Sequence, residues 1–199
     1  MNTLAVHSWP GAAPVPQDGL FAILIVVPSG SAPQNPRQQR DAARSHIRLA
    51  AREALAAVMR APIDTIHIAS SPGSPPRVLL AGQTSSIGCS FSHEDDYALA
   101  AINLHGRIGA DLMRMRDIPD WQAVARDYLG PTVSASLQTL SPDARPLAFT
   151  RAWTRREAAL KWQGQQLGEW QSHIAGHSWA LDLPVAGLIA HIHFGGDTA

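Results

Sequence analysis

Residues 153–167 read WTRREAALKWQGQQL, and this stretch holds Lys161, the only lysine of the chain. Glu157 precedes Lys161 by four residues, so on a helix the two side chains share one face in the favourable orientation. Thr154 and Glu157 also fit a capping box, in which a helix begins at the threonine. Taken alone, the stretch is explained by an ordinary helix start, and this explanation is favoured over a functional site.

The composition limits the class of protein. The chain has 199 residues, is 45% hydrophobic and 16% charged, and carries 16 acidic and 16 basic residues, which fits one domain or two small lobes. A balanced charge gives no overall field toward nucleic acid or membrane. Cys89, the single cysteine, excludes an intrachain disulfide and fits a reducing cytoplasm. We therefore expect a cytoplasmic monomer that binds neither nucleic acid nor membrane.

The apolar pattern predicts an α/β fold in which each half follows the order strand, helix, strands, with a loose duplication about residue 105. In the middle of the chain, strands at 97–104 and 107–113 are predicted to form a hairpin through a His105–Gly106 turn. The other predicted elements are a strand at 20–27, a loop at 28–36, helices at 36–60 and 149–167, and closing strands at 178–183 and 188–194.

The stretch IGADLM, residues 108–113, places an acid inside an apolar strand. Because side chains alternate along a strand, Asp111 and Met113 point to the same side. An acid there is costly to bury unless it is paired or holds a metal. The alternative is an edge strand whose Asp111 faces water, and the stretch alone slightly favours that alternative.

The stretch CSFSH, residues 89–93, ends a predicted strand with Ser92 and His93. A hydroxyl, an imidazole and the local backbone N–H groups at such a strand end can together bind a phosphate. The alternative is a surface turn with an exposed histidine, which is the commoner situation for a lone histidine.

Taken in order, these three stretches resemble the 4′-phosphopantetheinyl transferases of the larger, surfactin-synthetase-activating type. That family shows F-x-x-S-H, then I-G-x-D, then W-[ST]-x-K-E-A-x-x-K-x-x-G-x-G-L. The resemblance implies two similar α/β lobes related by a pseudo-twofold axis, at 1–104 and 105–199, with coenzyme A between them and the metal site in the second. It also implies transfer of the phosphopantetheine arm to a serine of an apo acyl or peptidyl carrier protein, with release of 3′,5′-ADP.

The resemblance further assigns roles to individual residues. Asp111 and Glu157 are implied as Mg²⁺ ligands, with Glu157 also able to deprotonate the attacking serine directly or through water. Lys161 is implied to contact the pyrophosphate and to stabilise or protonate the leaving phosphate. Ser92 and His93 are implied to bind the 3′-phosphate end of coenzyme A. Fatty-acid, polyketide and nonribosomal-peptide carriers all present a suitable serine at the start of a helix.

Three departures from the family pattern bear on the metal and coenzyme A sites. Met113 stands where a second acid is usual, and a thioether is a poor magnesium ligand. Arg156 replaces the lysine before the glutamate, which keeps the charge. The usual G-K/R-P element reads GSP at 73–75 and lacks its basic residue. Cations that could compensate are Arg77, Arg44 and Arg48.

These departures keep two other hypotheses open. One is a degenerate relative that binds coenzyme A or a carrier protein without transfer. The other is a helical interaction module whose tryptophans only form core. In every case, we expect Trp153, Trp162 and Trp170 to be packing residues.

Overall fold

The computed structural model describes residues 2–27, 36–71 and 73–195, with the side chains of the first helix described from residue 41 onward. The loop predicted at 28–36 therefore lies, except for Pro36, outside the described residues. The strands are β1 Thr3–Ser8, β2 Leu20–Val26, β3 Ile66–Ala69, β4 Arg77–Leu80, β5 Gln83–Glu94, β6 Tyr97–Asn103, β7 Ile108–Arg114, β8 His177–Asp182 and β9 Leu188–Phe194. The helices are α1 Pro36–Met59, α2 Trp121–Val124, α3 Pro131–Gln138 and α4 Arg145–Gln163, with a 3₁₀ turn at Ile63–Thr65 and a π-helical turn at Ala125–Leu129.

The strands of the described residues form one nine-stranded sheet in the order β3-β4-β5-β6-β2-β1-β8-β9-β7. β1 joins the two halves, because it pairs in parallel with β2 on one side and with β8 on the other. The mixed α/β class predicted from the sequence is confirmed. The division into lobes at 1–104 and 105–199 falls in the turn between β6 and β7 and remains a prediction. Among the described helices, none is long and apolar enough to cross a bilayer.

The predicted hairpin in the middle of the chain is wrong. β6 pairs with β2 and β5, whereas β7 pairs with β9. The hairpin that forms there joins β5 to β6 through Asp95 and Asp96, with Asp95 in the left-handed region at a φ of 51°. β6 is apolar on both faces and lies in the interior of the sheet, between β5 and β2. The chain therefore leaves β6 after Asn103, and β7 lies at the edge of the sheet.

The core lies on both faces of β2, whose alternate residues belong to two clusters. Phe21 and Ile23 pack with the buried face of α1, including Ile47 and Leu55. The other face of the strand packs with apolar residues of the second half, among them Leu4, Ala110, Leu112, Leu181 and Ile192. This two-sided burial explains why β2 reads as a continuous apolar run in the sequence.

Helix α4 lies directly on β7 and β9, and Gly109 permits the close approach. A methyl group at Gly109 would lie 1.9 Å from the carbonyl oxygen of Ala158. The helix begins at Arg145 and ends at Gln163, and Gly164, which follows it, has a φ of 72°. Thr154 is therefore well inside the helix, where its hydroxyl donates to the Thr150 carbonyl at 2.9 Å. The capping-box interpretation is wrong, because that position does not begin a helix.

The tryptophans of the α4 region pack as expected. Trp153 stacks on Phe149 with ring centroids 6.0 Å apart, and Trp162 contacts the His193 ring at 5.1 Å. Trp170 covers Gly130 so closely that a methyl group there would lie 2.5 Å from the indole. These contacts brace α4 and the segment after it.

Candidate functional site

Three elements bring their polar side chains into one cleft of about 540 Å³. The end of β5 contributes Ser92 and His93, β7 contributes Asp111, and α4 contributes Glu157 and Lys161. Because α4 crosses β7 at Gly109, the helix positions 157 and 161 lie over the strand position 111. The structure thus brings together residues from all three sequence stretches.

Lys161 binds the floor of the cleft through three acceptors. Its ammonium lies 2.7 Å from Asp111 Oδ1, 3.0 Å from the Ala110 carbonyl oxygen and 3.3 Å from Ser92 Oγ. An ammonium has three donors, so these acceptors use its full capacity. Among the described residues, Lys161 forms no ion pair with Glu157, although their spacing on the helix favours one. Its ion pair is with Asp111 instead.

Asp111 is buried, with 8% of the residue exposed, so the alternative of an aspartate facing water is wrong. Its Oδ1 atom accepts hydrogen bonds from Lys161 and from the Ser92 hydroxyl at 2.9 Å. Ser92 also accepts the Leu112 backbone N–H at 3.1 Å. Ser92 therefore holds the aspartate, a role that the sequence stretch did not indicate.

Glu157 is half-buried on the same side of the cleft. Burial raises the pKa of its carboxyl, the charge of Asp111 raises it further, and Lys161 and Arg156 oppose the rise. The Glu157 carboxylate accepts no hydrogen bond from any residue that the structure describes. Two mutually repelling carboxylates with oxygen atoms open to one cleft form an environment that a cation would stabilise.

The donor set fits Mg²⁺, which is commonly held by one or two carboxylates with water and substrate phosphate as the other ligands. Met113 lines the same cleft and offers no oxygen. No group of three or more His, Cys, Asp or Glu side chains in the described part of the chain is arranged to hold a metal ion. Asp111 and Glu157 would therefore need water and phosphate oxygens to complete the coordination.

A basic group adjoins the cleft at His93. The residue is exposed, but protein surrounds part of its imidazole, and this burial lowers the pKa of the ring. A hydrogen bond with the Ala43 backbone raises the pKa. The positive charges of Arg44, Lys161 and Arg48 lower it further. The Nε atom of Arg48 is buried and has no hydrogen-bond partner among the described residues. A neutral histidine among three cations is an arrangement that a bound anion would stabilise.

Arg77, the other arginine predicted from the sequence, is exposed on β4. No contact within the described residues ties its side chain to the cleft. Its neighbour Pro76 does line a second pocket of about 250 Å³. That pocket shares Phe91 and Lys161 with the cleft and is bordered by the loop carrying Gly73 and by the end of α4, so the two spaces adjoin.

Comparison with known proteins gives a family match to the part of the chain that includes β7 and α4. Residues 107–181 match the 4′-phosphopantetheinyl transferase superfamily. The transferase match runs from the start of β7 through α4 and into β8, so it contains Asp111, Glu157 and Lys161. Ser92, His93 and the first half of the chain lie outside it, so the match does not distinguish the larger, surfactin-synthetase-activating type from others.

Individual transferases are similar to about two fifths of this chain. A putative 4′-phosphopantetheinyl transferase of Synechocystis is 31% identical over 74 residues, which cover 37% of this chain and 30% of the relative. The 4′-phosphopantetheinyl transferase HetI of Nostoc is 32% identical over 79 residues, 40% of this chain and 33% of HetI. AcpT of Salmonella typhi is 28% identical over 74 residues, 37% of this chain and 38% of AcpT. The matched segment thus spans only about a third of each relative.

Sequence reasoning did not identify two participants in the site. Ser90 and Glu94 accept backbone N–H groups of β7 beside the predicted residues. The signal that was present is the alternation of Ser90, Ser92 and Glu94 on one face of β5, but its meaning depends on knowing which strand lies opposite.

Proposed function

We propose that this chain is a magnesium-dependent 4′-phosphopantetheinyl transferase of the larger, surfactin-synthetase-activating type. It would transfer the phosphopantetheine arm of coenzyme A to a serine of an apo acyl or peptidyl carrier protein and release 3′,5′-ADP. The observation that carries this proposal is the convergence of Asp111, Glu157 and Lys161, all from the matched segment, in one cleft.

The binding site for coenzyme A is proposed from the charges around the cleft. His93, Arg44 and Arg48 form a basic group suited to the 3′-phosphate. The adjoining pocket beside Gly73 is mostly apolar and suits the adenine ring. Ser92 is assigned to holding Asp111 rather than to the phosphate, since its hydroxyl already has three partners.

The chemistry then follows from the acidic side chains. Asp111 and Glu157 would hold Mg²⁺, which when bound would neutralise charge on the pyrophosphate as its P–O bond breaks. The carrier serine oxygen forms a new bond to the phosphorus that bears the pantetheine arm, and its proton passes to Glu157 directly or through water. The bridging oxygen leaves with 3′,5′-ADP, and the Lys161 ammonium stabilises its charge.

The test is to incubate the protein with coenzyme A, Mg²⁺ and an apo acyl carrier protein and to measure the intact mass of the carrier. The expected result is a gain of one phosphopantetheine arm, lost on addition of EDTA and lost in Asp111→Asn. Glu169→Gln, an exposed acid-to-amide change on the segment after α4, is the matched control and should transfer normally.

Two outcomes would overturn the proposal. Binding of coenzyme A without transfer to any carrier class would favour the degenerate relative, for which Met113 is the motivating observation. Failure to bind coenzyme A at all would leave the interaction module.

A further inference from the structure

The free edge of β7 lies close to the candidate site. β7 ends the sheet order and pairs with β9 on one side. Along a strand, alternate backbone N–H groups point to opposite sides, and those of Ala110, Leu112 and Arg114 point away from β9. Ala110 and Leu112 are 0% and 3% exposed, so water does not satisfy their N–H groups. A buried N–H without a partner is strongly destabilising.

Side chains of β5, rather than another backbone, accept these N–H groups. Ala110 N donates to Ser90 Oγ at 2.9 Å, Leu112 N to Ser92 Oγ at 3.1 Å, and Arg114 N to Glu94 Oε1 at 3.1 Å. In each pair the two residues are twenty positions apart in the sequence, and this constant offset means that β5 and β7 run in the same direction. Every second residue of β5 therefore meets every second residue of β7. We call the set Ser90, Ser92 and Glu94 the side-chain ladder.

The ladder fixes the register of β7 along β5. Asp111 lies between Ala110 and Leu112, which make the first two contacts of the ladder. The carbonyl of Ala110, on the same edge, accepts from Lys161, and Ser92 also donates to Asp111. A slip of β7 by one repeat of two residues would move Asp111 about 6.6 Å away from Lys161. The same hydrogen bonds that satisfy the strand edge therefore set the position of the candidate metal ligand.

Glu94 holds the end of the ladder nearest Met113. Its Oε1 atom also accepts from Arg116 Nη2 at 2.9 Å, and its side chain is only 15% exposed. The neighbouring Asp95 pairs with the Arg114 side chain at 2.6 Å but accepts no β7 backbone N–H within the described residues. Loss of Glu94 would thus leave the Arg114 backbone N–H of β7 without its acceptor. This is the end of the strand beside Met113, which contributes no oxygen ligand.

We propose that Ser90 and Glu94 are positioning residues, which hold the edge of β7 so that Asp111 meets Lys161 and faces Glu157. As a statement about catalysis this rests on the proposed function, but the geometry it describes can be measured without activity. Lys161 makes that measurement simple, because lysine-selective ¹⁵N labelling of the chain gives one side-chain ammonium signal.

The test compares Glu94→Ala and Ser90→Ala with Glu94→Gln, which keeps the Oε1 acceptor, and with Asp95→Asn, which removes a charge next to the ladder. The readouts are amide hydrogen exchange at residues 110, 112 and 114 and the exchange of the Lys161 ammonium with water. In Glu94→Ala we expect about tenfold faster exchange of the Arg114 amide and faster exchange of the ammonium. Ser90→Ala should do the same for the Ala110 amide. Glu94→Gln should restore wild-type exchange, and Asp95→Asn should not change it.

In the transfer assay, the half-saturating Mg²⁺ concentration should rise about tenfold in Glu94→Ala and be restored in Glu94→Gln. Unchanged amide exchange in both alanine variants would refute the ladder. Faster amide exchange with an unchanged Lys161 signal would refute the positioning role and leave a purely structural one. A wild-type protein that shows the expected exchange pattern but transfers nothing would overturn the proposed function while leaving the geometric proposal intact.

Discussion

Replacement of Gly109 by alanine tests whether the approach of α4 to β7 builds the site. The added methyl group would lie 1.9 Å from the Ala158 carbonyl oxygen and 2.4 Å from the Trp162 backbone nitrogen. Both neighbours are backbone atoms inside a helix, so no side-chain rotation can relieve the contact. The helix must move away from the strand by about 1.5 Å to restore an ordinary van der Waals distance.

The size of the effect follows from the cost of overpacking, which is typically 1–3 kcal/mol. Because the clash is with backbone, we expect the upper end, about 3 kcal/mol. With about 2–4 °C of melting temperature per kcal/mol for a chain of this size, the expected loss is about 6–12 °C. A displacement of about 1 Å at a reacting group can reduce the rate about 100-fold, and Lys161 and Glu157 both move with the helix.

The assays are chemical unfolding and carrier-protein transfer, with Gly168→Ala as the matched control. Gly168 has open space around its Cβ position, so that variant should stay within about 0.5 kcal/mol of wild type. If Gly109→Ala unfolded at the wild-type denaturant concentration and transferred at the wild-type rate, α4 would not rest on β7 as described. The reasoning that links Gly109 to the site would then be refuted.

Three other predictions follow from the charged and polar groups. Glu157→Gln should abolish transfer yet raise the free energy of unfolding at pH 7. Because the folded-state pKa of Glu157 is raised above 4.5, this gain should shrink as the pH falls toward 4.5 and be absent at lower pH. Millimolar Mg²⁺ should raise the melting temperature of wild type but not of Glu157→Gln. Burial lowers the pKa of His191 to about 4, so wild type should lose stability between pH 6.5 and 4, and His191→Gln should reduce this loss. His67→Gln, at an exposed histidine, is the control. A loss of stability in His191→Gln as steep as that of wild type would contradict this. Lys161→Arg should reduce turnover at least tenfold and affect turnover much more than the melting temperature, and retention of full turnover would show that the ammonium geometry is unimportant.

The residues of the candidate site could be predicted because each lies in a short contiguous stretch. The local patterns singled out Asp111, Glu157 and Lys161, but each pattern alone favoured a structural explanation. Their roles in a site came from the resemblance of the three ordered stretches to the transferase family. The burial of Asp111 could not be found this way. It depends on Ser92, nineteen residues earlier, and on Lys161, fifty residues later.

Two of the wrong structural predictions, the capping box and the hairpin, have the same cause. Thr154 and Glu157 carry a good local signal for a helix start, but the helix begins nine residues before Thr154, and the hydroxyl is buried against His191 Nδ1 at 2.7 Å. The short connection between β6 and β7 is a good local signal for a hairpin, but β6 finds better partners in β2 and β5. In both cases a long-range contact outweighed a local preference, and a single sequence contains no direct record of such contacts.

The ladder and Gly109 together give a physical reason for a lysine at position 161. The ammonium meets three acceptors in different directions, from a β5 hydroxyl, a β7 carbonyl and the Asp111 carboxylate. A tetrahedral ammonium suits such a set, whereas a guanidinium presents its donors in one plane and needs more width. The width available between α4 and β7 is fixed by the contact at Gly109. A phosphate entering the cleft would find the ammonium already oriented by Asp111 and could replace the weakest partner, the Ser92 hydroxyl at 3.3 Å, without moving the lysine.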